Sequence, residues 1–219
     1  MIRTFSIIFL KDFRDTFYKG SRSWFTVAFF MLCLLIFPLS MGNSTSILAK
    51  FSVAAIWLSA LFSTLLSLEN MFKEDYDSGV LEQYFINGIP LSAIVYSKCL
   101  NHWIFTGLPI ILLSPFCLFL LQGDIENIFN LLLSLLLGTF LFTLIGSPLA
   151  ALGLGTQLKG PLLVFLAIPF YLPVIIFGVL SNIGGNNSNS EFYLLLFLLS
   201  LGMFFLPLIT MKILSFILE

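Results

Sequence analysis

Glu69-Asn-Met-Phe-Lys-Glu-Asp-Tyr-Asp-Ser-Gly-Val-Leu-Glu-Gln-Tyr-Phe-Ile-Asn-Gly-Ile-Pro90 is the one long polar interruption in a chain otherwise made of apolar runs separated by short turns. Its periodicity is helical. Leu68, Met71, Phe72 and Tyr76 share one face at i, i+3, i+4 and i+8, with Asn70, Lys73, Glu74 and Asp77 opposite. Ser78-Gly79 stops that helix. A second one, Val80–Phe85, closes at Asn87-Gly88, and Pro90 forbids continuation. Glu69 and Lys73 form an i,i+4 pair, and five acids face a single lysine across the segment. A rigid amphipathic segment along a membrane face can seat in a groove of a soluble partner and pass its motion to the flanking spans. The plainer alternative is a solvated loop whose charge serves solubility.

On either side the chain is built for lipid. Apolar residues are 59% of the 219 and charged residues only 10%, with 26 Phe; a soluble domain carries roughly a quarter charged residues. The apolar runs are Trp24–Ser40, Ala49–Leu68, about Cys99–Leu121, Ile128–Gly153, Pro161–Leu180 and Phe192–Phe216. Each approaches the ~20 residues a spanning helix needs. The two-residue alternation of a barrel strand is absent, so helices satisfy the backbone in lipid. The expected fold is an all-α integral membrane protein with six transmembrane helices.

Residues 1–23 read as a separate element, an amphipathic helix. Ile2, Phe5, Phe9, Phe13 and Phe17 fall on one side; Arg3, Lys11, Asp12, Arg14, Asp15 and Lys19 fall on the other. That pattern suits the membrane interface, with Trp24 as an anchor and Gly20-Ser21 as the bend into the first span; a cytoplasmic partner-binding helix is the alternative. No small-x-small cleavage site follows the first apolar run, so it is expected to be retained. Residues 24–219 then form the six-span domain, with the segment 69–90 between spans two and three. Arg3, Lys11, Arg14, Lys19, Arg22, Lys73, Lys98, Lys159 and Lys212 fall on one side of such a layout and only Lys50 on the other. Positive residues stay inside, which puts both termini and the 69–90 segment in the cytoplasm. The outer loops, Gly42–Leu48, Gln122–Asn127 and Ser181–Ser190, are too short for a substrate-binding domain.

Little in the chain suggests chemistry of its own. Gly153-Leu-Gly-Thr-Gln-Leu-Lys-Gly160 lacks the phosphate-loop spacing, no metal cluster or acid/His pair stands out, and Glu69, Asp124, Glu126 and Glu191 sit at span ends rather than mid-membrane. An energy source in a separate protein chain is expected, with no catalytic or metal residue here. The net charge of −1 gives no reason to expect nucleic acid. Cys33, Cys99 and Cys117 read as packing residues. The sole histidine, His102, is a weak candidate for haem ligation; it also reads as an interfacial anchor with Lys98, Asn101 and Trp103. Pro38, Pro109, Pro115, Pro148, Pro169, Pro173 and Pro207 lie inside the spans, where kinks near Pro109/Pro115 and Pro169/Pro173 are candidate hinges. Gly146, Ser147, Ala150, Ala151, Gly153 and Gly155 would allow close helix contact, with self-association as one use.

Several strings together resemble the CcmB family of cytochrome c maturation haem exporters, permeases of ABC transporters. They are Phe37-Pro-Leu-Ser-Met-Gly42, Leu68-Glu69 through Phe72, Asp77-Ser-Gly-Val-Leu-Glu-Gln83, Lys98, His102-Trp103, Thr106-Gly-Leu-Pro-Ile-Ile-Leu-Leu-Ser-Pro115, Leu137-Gly-Thr139 and the proline-rich Leu166–Pro173. The resemblance runs over nearly the whole chain. It implies an ABC-2-type exporter fold, with an interfacial helix, six spans and a coupling helix between spans two and three. It also implies a partner ATPase (CcmA) that binds ATP, and association with CcmC, CcmD and the haem chaperone CcmE in a bacterial inner membrane. Haem would be a substrate, not a cofactor of this chain. The function implied is coupling of the partner's ATP hydrolysis to haem export or to release of haem-loaded chaperone. A permease for another substrate and a non-transporting scaffold are the competing readings. The residues expected to meet or couple to the ATPase are Glu69, Phe72, Lys73, Glu74, Asp75, Tyr76, Gly79, Leu81 and Glu82, with Glu74, Asp75 and Tyr76 foremost.

Overall fold

A computed structural model describes residues 2–19, 21–42, 45–155, 160–183 and 189–219. Among these there is no strand, and the helices are α1 (Ile2–Lys19), α2 (Ser21–Met41), α3 (Thr45–Leu68), α4 (Asn70–Asp77), α5 (Val80–Ile86), α6 (Leu91–Leu120), α7 (Ile128–Leu152), α8 (Gly160–Ile183) and α9 (Asn189–Leu218). Six of them, α2, α3 and α6 to α9, are long and apolar enough to cross a bilayer. The chain is therefore an all-α integral membrane protein, as its composition requires. Gly20 and Lys159, used above for the bend and the charge count, lie outside the described residues, as do residues 43–44, 156–158 and 184–188.

The spans extend beyond the apolar runs that reveal them, because helix hydrogen bonding does not stop where hydropathy does. The clearest case is α6. Its 30 residues make a rod of about 45 Å at 1.5 Å per residue, roughly 15 Å more than the hydrocarbon core. The surplus is the amino-terminal end, Leu91 to Lys98. Pro90, extended at φ −64° and ψ 124°, starts the helix. At the far end Gln122 takes φ +55° and the Gly123 amide returns to the Leu118 carbonyl at 2.9 Å, ending α6 against Ser52 of α3. All the prolines read as intramembrane lie within helices.

α7 is the central helix, packed on α9, α8, α6 and α3, while α2 and α9 are the least enclosed spans. Small residues explain why it can be central. Gly138 of α7 and Gly178 of α8 lie against the Trp57 indole of α3 so closely that a Cβ at either would overlap the ring. Trp57 is fully buried, edge-on to Phe142 at 6.0 Å, and Phe142 meets Tyr171 at 4.8 Å. The Tyr171 hydroxyl donates to the Phe142 carbonyl at 2.8 Å. Gly146 receives Leu68 of α3 and Tyr171 of α8, and Ser147 bonds Thr210 of α9 at 2.8 Å. Two members of the small-residue cluster, Gly146 and Ser147, thus bring α7 against helices of its own chain.

Candidate functional site

α4 and α5 lie where the sequence puts two short helices, and their joints are glycines. The Ser78 amide reaches the Glu74 carbonyl at 3.1 Å and the Gly79 amide the Tyr76 carbonyl at 3.0 Å. Gly79 at φ +71° and Gly88 at φ +68° supply left-handed turns that a side chain resists. Leu68, Met71 and Phe72 are buried with Leu81, and Tyr76 is half-buried, its hydroxyl next to Gly155. These apolar groups glue the segment to the bundle. Lys73, Glu74, Asp77 and Glu82 are exposed, with Glu69 and Lys73 paired on the surface at 2.8 Å. Of the residues expected to serve coupling, then, Phe72 and Leu81 are anchors, Gly79 is a joint, and Glu69, Lys73, Glu74 and Glu82 form the outer face.

Asp75 turns inward, and its partner comes from the protruding end of α6. Lys98 Nζ lies 2.5 Å from Asp75 Oδ2 and 3.2 Å from Asp12 Oδ2 of α1. The side chains of Lys98, Asp75 and Asp12 are 12%, 14% and 5% exposed, so solvent screens them weakly. The ammonium sits between the two carboxylates, within hydrogen-bonding distance of an oxygen on each. Lys11 adds a second tie, donating to the Tyr84 hydroxyl of α5 at 3.0 Å, and the Asn101 amide donates to the Phe9 carbonyl at 3.2 Å. Burial holds the Asp12 carboxyl above its ordinary value, against the pull of Lys98. For Lys11 burial opposes charge, yet the Tyr84 bond and the Asp75 charge outweigh it and raise the ammonium.

This junction changes the reading of α1. Its polar side is expected from periodicity to face water, but the most buried positions are Ile8 and Asp12, at 3% and 5% exposure. The helix lies along α6 on that line, and the phenylalanines form a half-exposed ladder beside it: Phe5, Phe9, Phe13 and Phe17, with centroids 6.0, 6.0 and 6.4 Å apart. Phe13 also meets Phe105 of α6 at 5.1 Å. Helical periodicity places Asp12 among charges correctly; it cannot reveal a buried partner on another helix.

Between α1, α2, α3, α4 and α6 the junction borders a cavity of about 690 Å³. Asp12, Asp75, Lys98, Asn101 and His102 line it. His102 Nε2 lies 2.8 Å from Ser67 Oγ of α3 and Nδ1 lies 3.2 Å from Thr143 Oγ1 of α7. Both ring nitrogens are thus engaged in joining helices, and iron ligation would require one of them to be released. Trp103 Nε1 donates to Thr139 Oγ1 at 3.1 Å, extending a polar seam between α6 and α7. Among the described residues no group of His, Cys, Asp and Glu could hold a metal ion. The opposite end of the bundle carries Lys50, Asp124, Asn127 and Asn182 around a smaller cavity of about 140 Å³.

Comparison with known proteins gives the same outline. The chain is 37% identical over 178 residues to heme exporter protein B of Pseudomonas aeruginosa, covering 81% of this chain and 80% of that protein. It is 40% identical over 149 residues to heme exporter protein B of Haemophilus influenzae, covering 68% and 67%. With heme exporter protein B of Escherichia coli K12 it shares 38% over 170 residues, 78% and 77% of the two chains. The model of the CcmB protein family matches residues 3–215, a stretch that takes in α4, α5 and the six long apolar helices save the last three residues of α9. This multi-pass membrane chain belongs to the CcmB protein family.

Proposed function

We propose that this chain is the membrane permease of an ABC transporter complex for cytochrome c maturation. It would couple ATP hydrolysis by a partner protein to export of haem or release of a haem-loaded chaperone. Hydrolysis belongs to the partner; the chain's own part is to receive force and move. The relatives named heme exporter protein B, matched over most of both chains, support the transport reading. The observation that carries the coupling reading is the α4–α5 segment, which is apolar on its bundle side and acidic on its outer side. We place α1, α4, α5 and both termini in the cytoplasm, and the protein in the bacterial inner membrane. The side chains of α1, α4 and α5 that meet at Lys98 and Tyr84 belong to one end of the bundle, with Lys50 at the other. The basic residues of that first end follow the positive-inside rule. The complex would include the ATPase (CcmA), CcmC, CcmD and the chaperone CcmE.

Co-purification in detergent with the candidate ATPase tests this. The wild-type chain should retain the ATPase, and Glu74→Lys with Glu82→Lys should lose it while still inserting, since both side chains are exposed. Reversing two rim charges at a docking surface weakens binding by several kcal/mol at most, enough to empty a micromolar complex. Absence of the ATPase from the wild type, or its retention by the double variant, would move the scaffold reading ahead.

A further inference from the structure

The charged junction carries an inference that deepens the permease reading and rests on it. We infer that Lys98 is a positioning residue for coupling, a pin that holds the ATPase-facing segment to α6 and α1 so that all three move as one. The ammonium contacts one carboxylate from α4 and one from α1 while standing on α6. It therefore fixes three elements with a single side chain.

The rest of the segment explains why a pin is needed. α4 follows α3 through Glu69, whose backbone stays helical at φ −54° and ψ −33°, so its loose end is the other one, at Ser78-Gly79; α5 ends at Asn87-Gly88. Both glycines are left-handed with open space around them, so the joints resist bending weakly. Met71 and Phe72 pack α4 onto the bundle, but the edge that carries Asn70 and Asp75 borders the 690 Å³ cavity, and that edge has room to shift. A push on the outer face would then tilt α4 into that space without moving α6. The Lys98 bridge blocks that slack. The Lys11–Tyr84 bond does the same for α5 through α1.

The chemistry also argues against a purely stabilising role. A buried ion pair gains little over apolar groups of the same shape, because desolvation offsets the attraction, and its best-attested use is to fix one geometry among several. Removing one member alone strands the others, so single variants confuse position with stability. A variant with all three groups neutral separates the two.

The experiment uses the complex with its ATPase in native membranes or nanodiscs. It compares wild type, Lys98→Met, Lys98→Arg and the triple variant Asp12→Asn/Asp75→Asn/Lys98→Met. Three quantities are read: ATPase retained, ATP hydrolysed, and mature cytochrome c formed per ATP. Lys98→Met should keep the ATPase bound and hydrolysing while product per ATP falls about tenfold, within the range that directly coupled buried groups show. Lys98→Arg, which keeps the charge and can fork between two carboxylates, should restore most of it. The triple variant should insert at normal abundance yet stay uncoupled. It decides the case if Lys98→Met fails to accumulate. Normal product per ATP in the triple variant would overturn the pin and leave the permease reading standing. Failure of the wild type to hold an ATPase would overturn both.

Discussion

Trp57 shows how much of this bundle depends on what two residues lack. Gly138 and Gly178 leave room for the indole between α7 and α8, and a methyl on either would meet the ring. Gly178→Val should therefore cost about 1–3 kcal/mol by overpacking, read as a lower melting temperature in detergent; an unchanged melt would mean that the ring has room to move. Gly79 is demanding for another reason. Nothing lies within 4 Å of a Cβ there, but φ is +71°, so Gly79→Ala should cost roughly 1–2 kcal/mol through the backbone alone. The place to see it is amide exchange in α4 and α5, with the spans unaffected. The sequence marks Gly79 as a helix stop because a serine and a second amphipathic run flank it. It does not mark Gly138 or Gly178, since the reason for each is a tryptophan on a distant helix. His102 is similar: its neighbours in the chain suggest an anchor, whereas Ser67 and Thr143 make it a joint between three helices.

For elements, the contrast is between α4–α5 and α1. The short helices are legible because their faces, stops and i,i+4 pair are local, and Glu69–Lys73 closes at 2.8 Å as spacing suggests. Phe72 is buried, so Phe72→Ala tests packing, and only exposed Glu74 and Glu82 report docking. α1 is half legible: its helix can be read, its buried line cannot, because Lys98 leaves no periodic trace in residues 1–23. Its attachment should respond to pH in one direction. Asp12 binds a proton more tightly when docked than when free, so docking gains as pH falls from its raised midpoint towards the ordinary 3.8 and loses nothing in acid. Lys11, raised above 10.5, supports docking below that value and ceases to as pH climbs through its higher midpoint. Alkali and not acid should thus free α1, as seen by a fluorophore at exposed position 17 in Phe17→Cys. Tyr84→Phe should shift that alkaline step to lower pH, and release in acid would refute the assignment.

At the level of the whole molecule, hydropathy is enough for six spans, because lipid imposes the same demand on each. The orientation can be tested with two cysteines in a background free of Cys33, Cys99 and Cys117. An impermeant maleimide added to spheroplasts should label Asp124→Cys, and should label Glu82→Cys only after the membrane is opened; the reverse pattern would invert the bundle. The packing order, with α7 at the centre and α2 and α9 outside, is not legible, since every span is similarly apolar and small residues reveal closeness without naming the neighbour. The docking of α1 on α6 has a consequence for how the protein is made. Asn101, which holds Phe9, is 92 positions later in the chain. At ribosomal speeds of about 5–20 residues per second, α1 leaves the ribosome several seconds before its partner exists. If α1 lies at the membrane interface, as proposed from its periodicity, its phenylalanine ladder would have lipid to rest on during that interval, while Asp12 would stay in headgroup water until Lys98 arrives to enclose it.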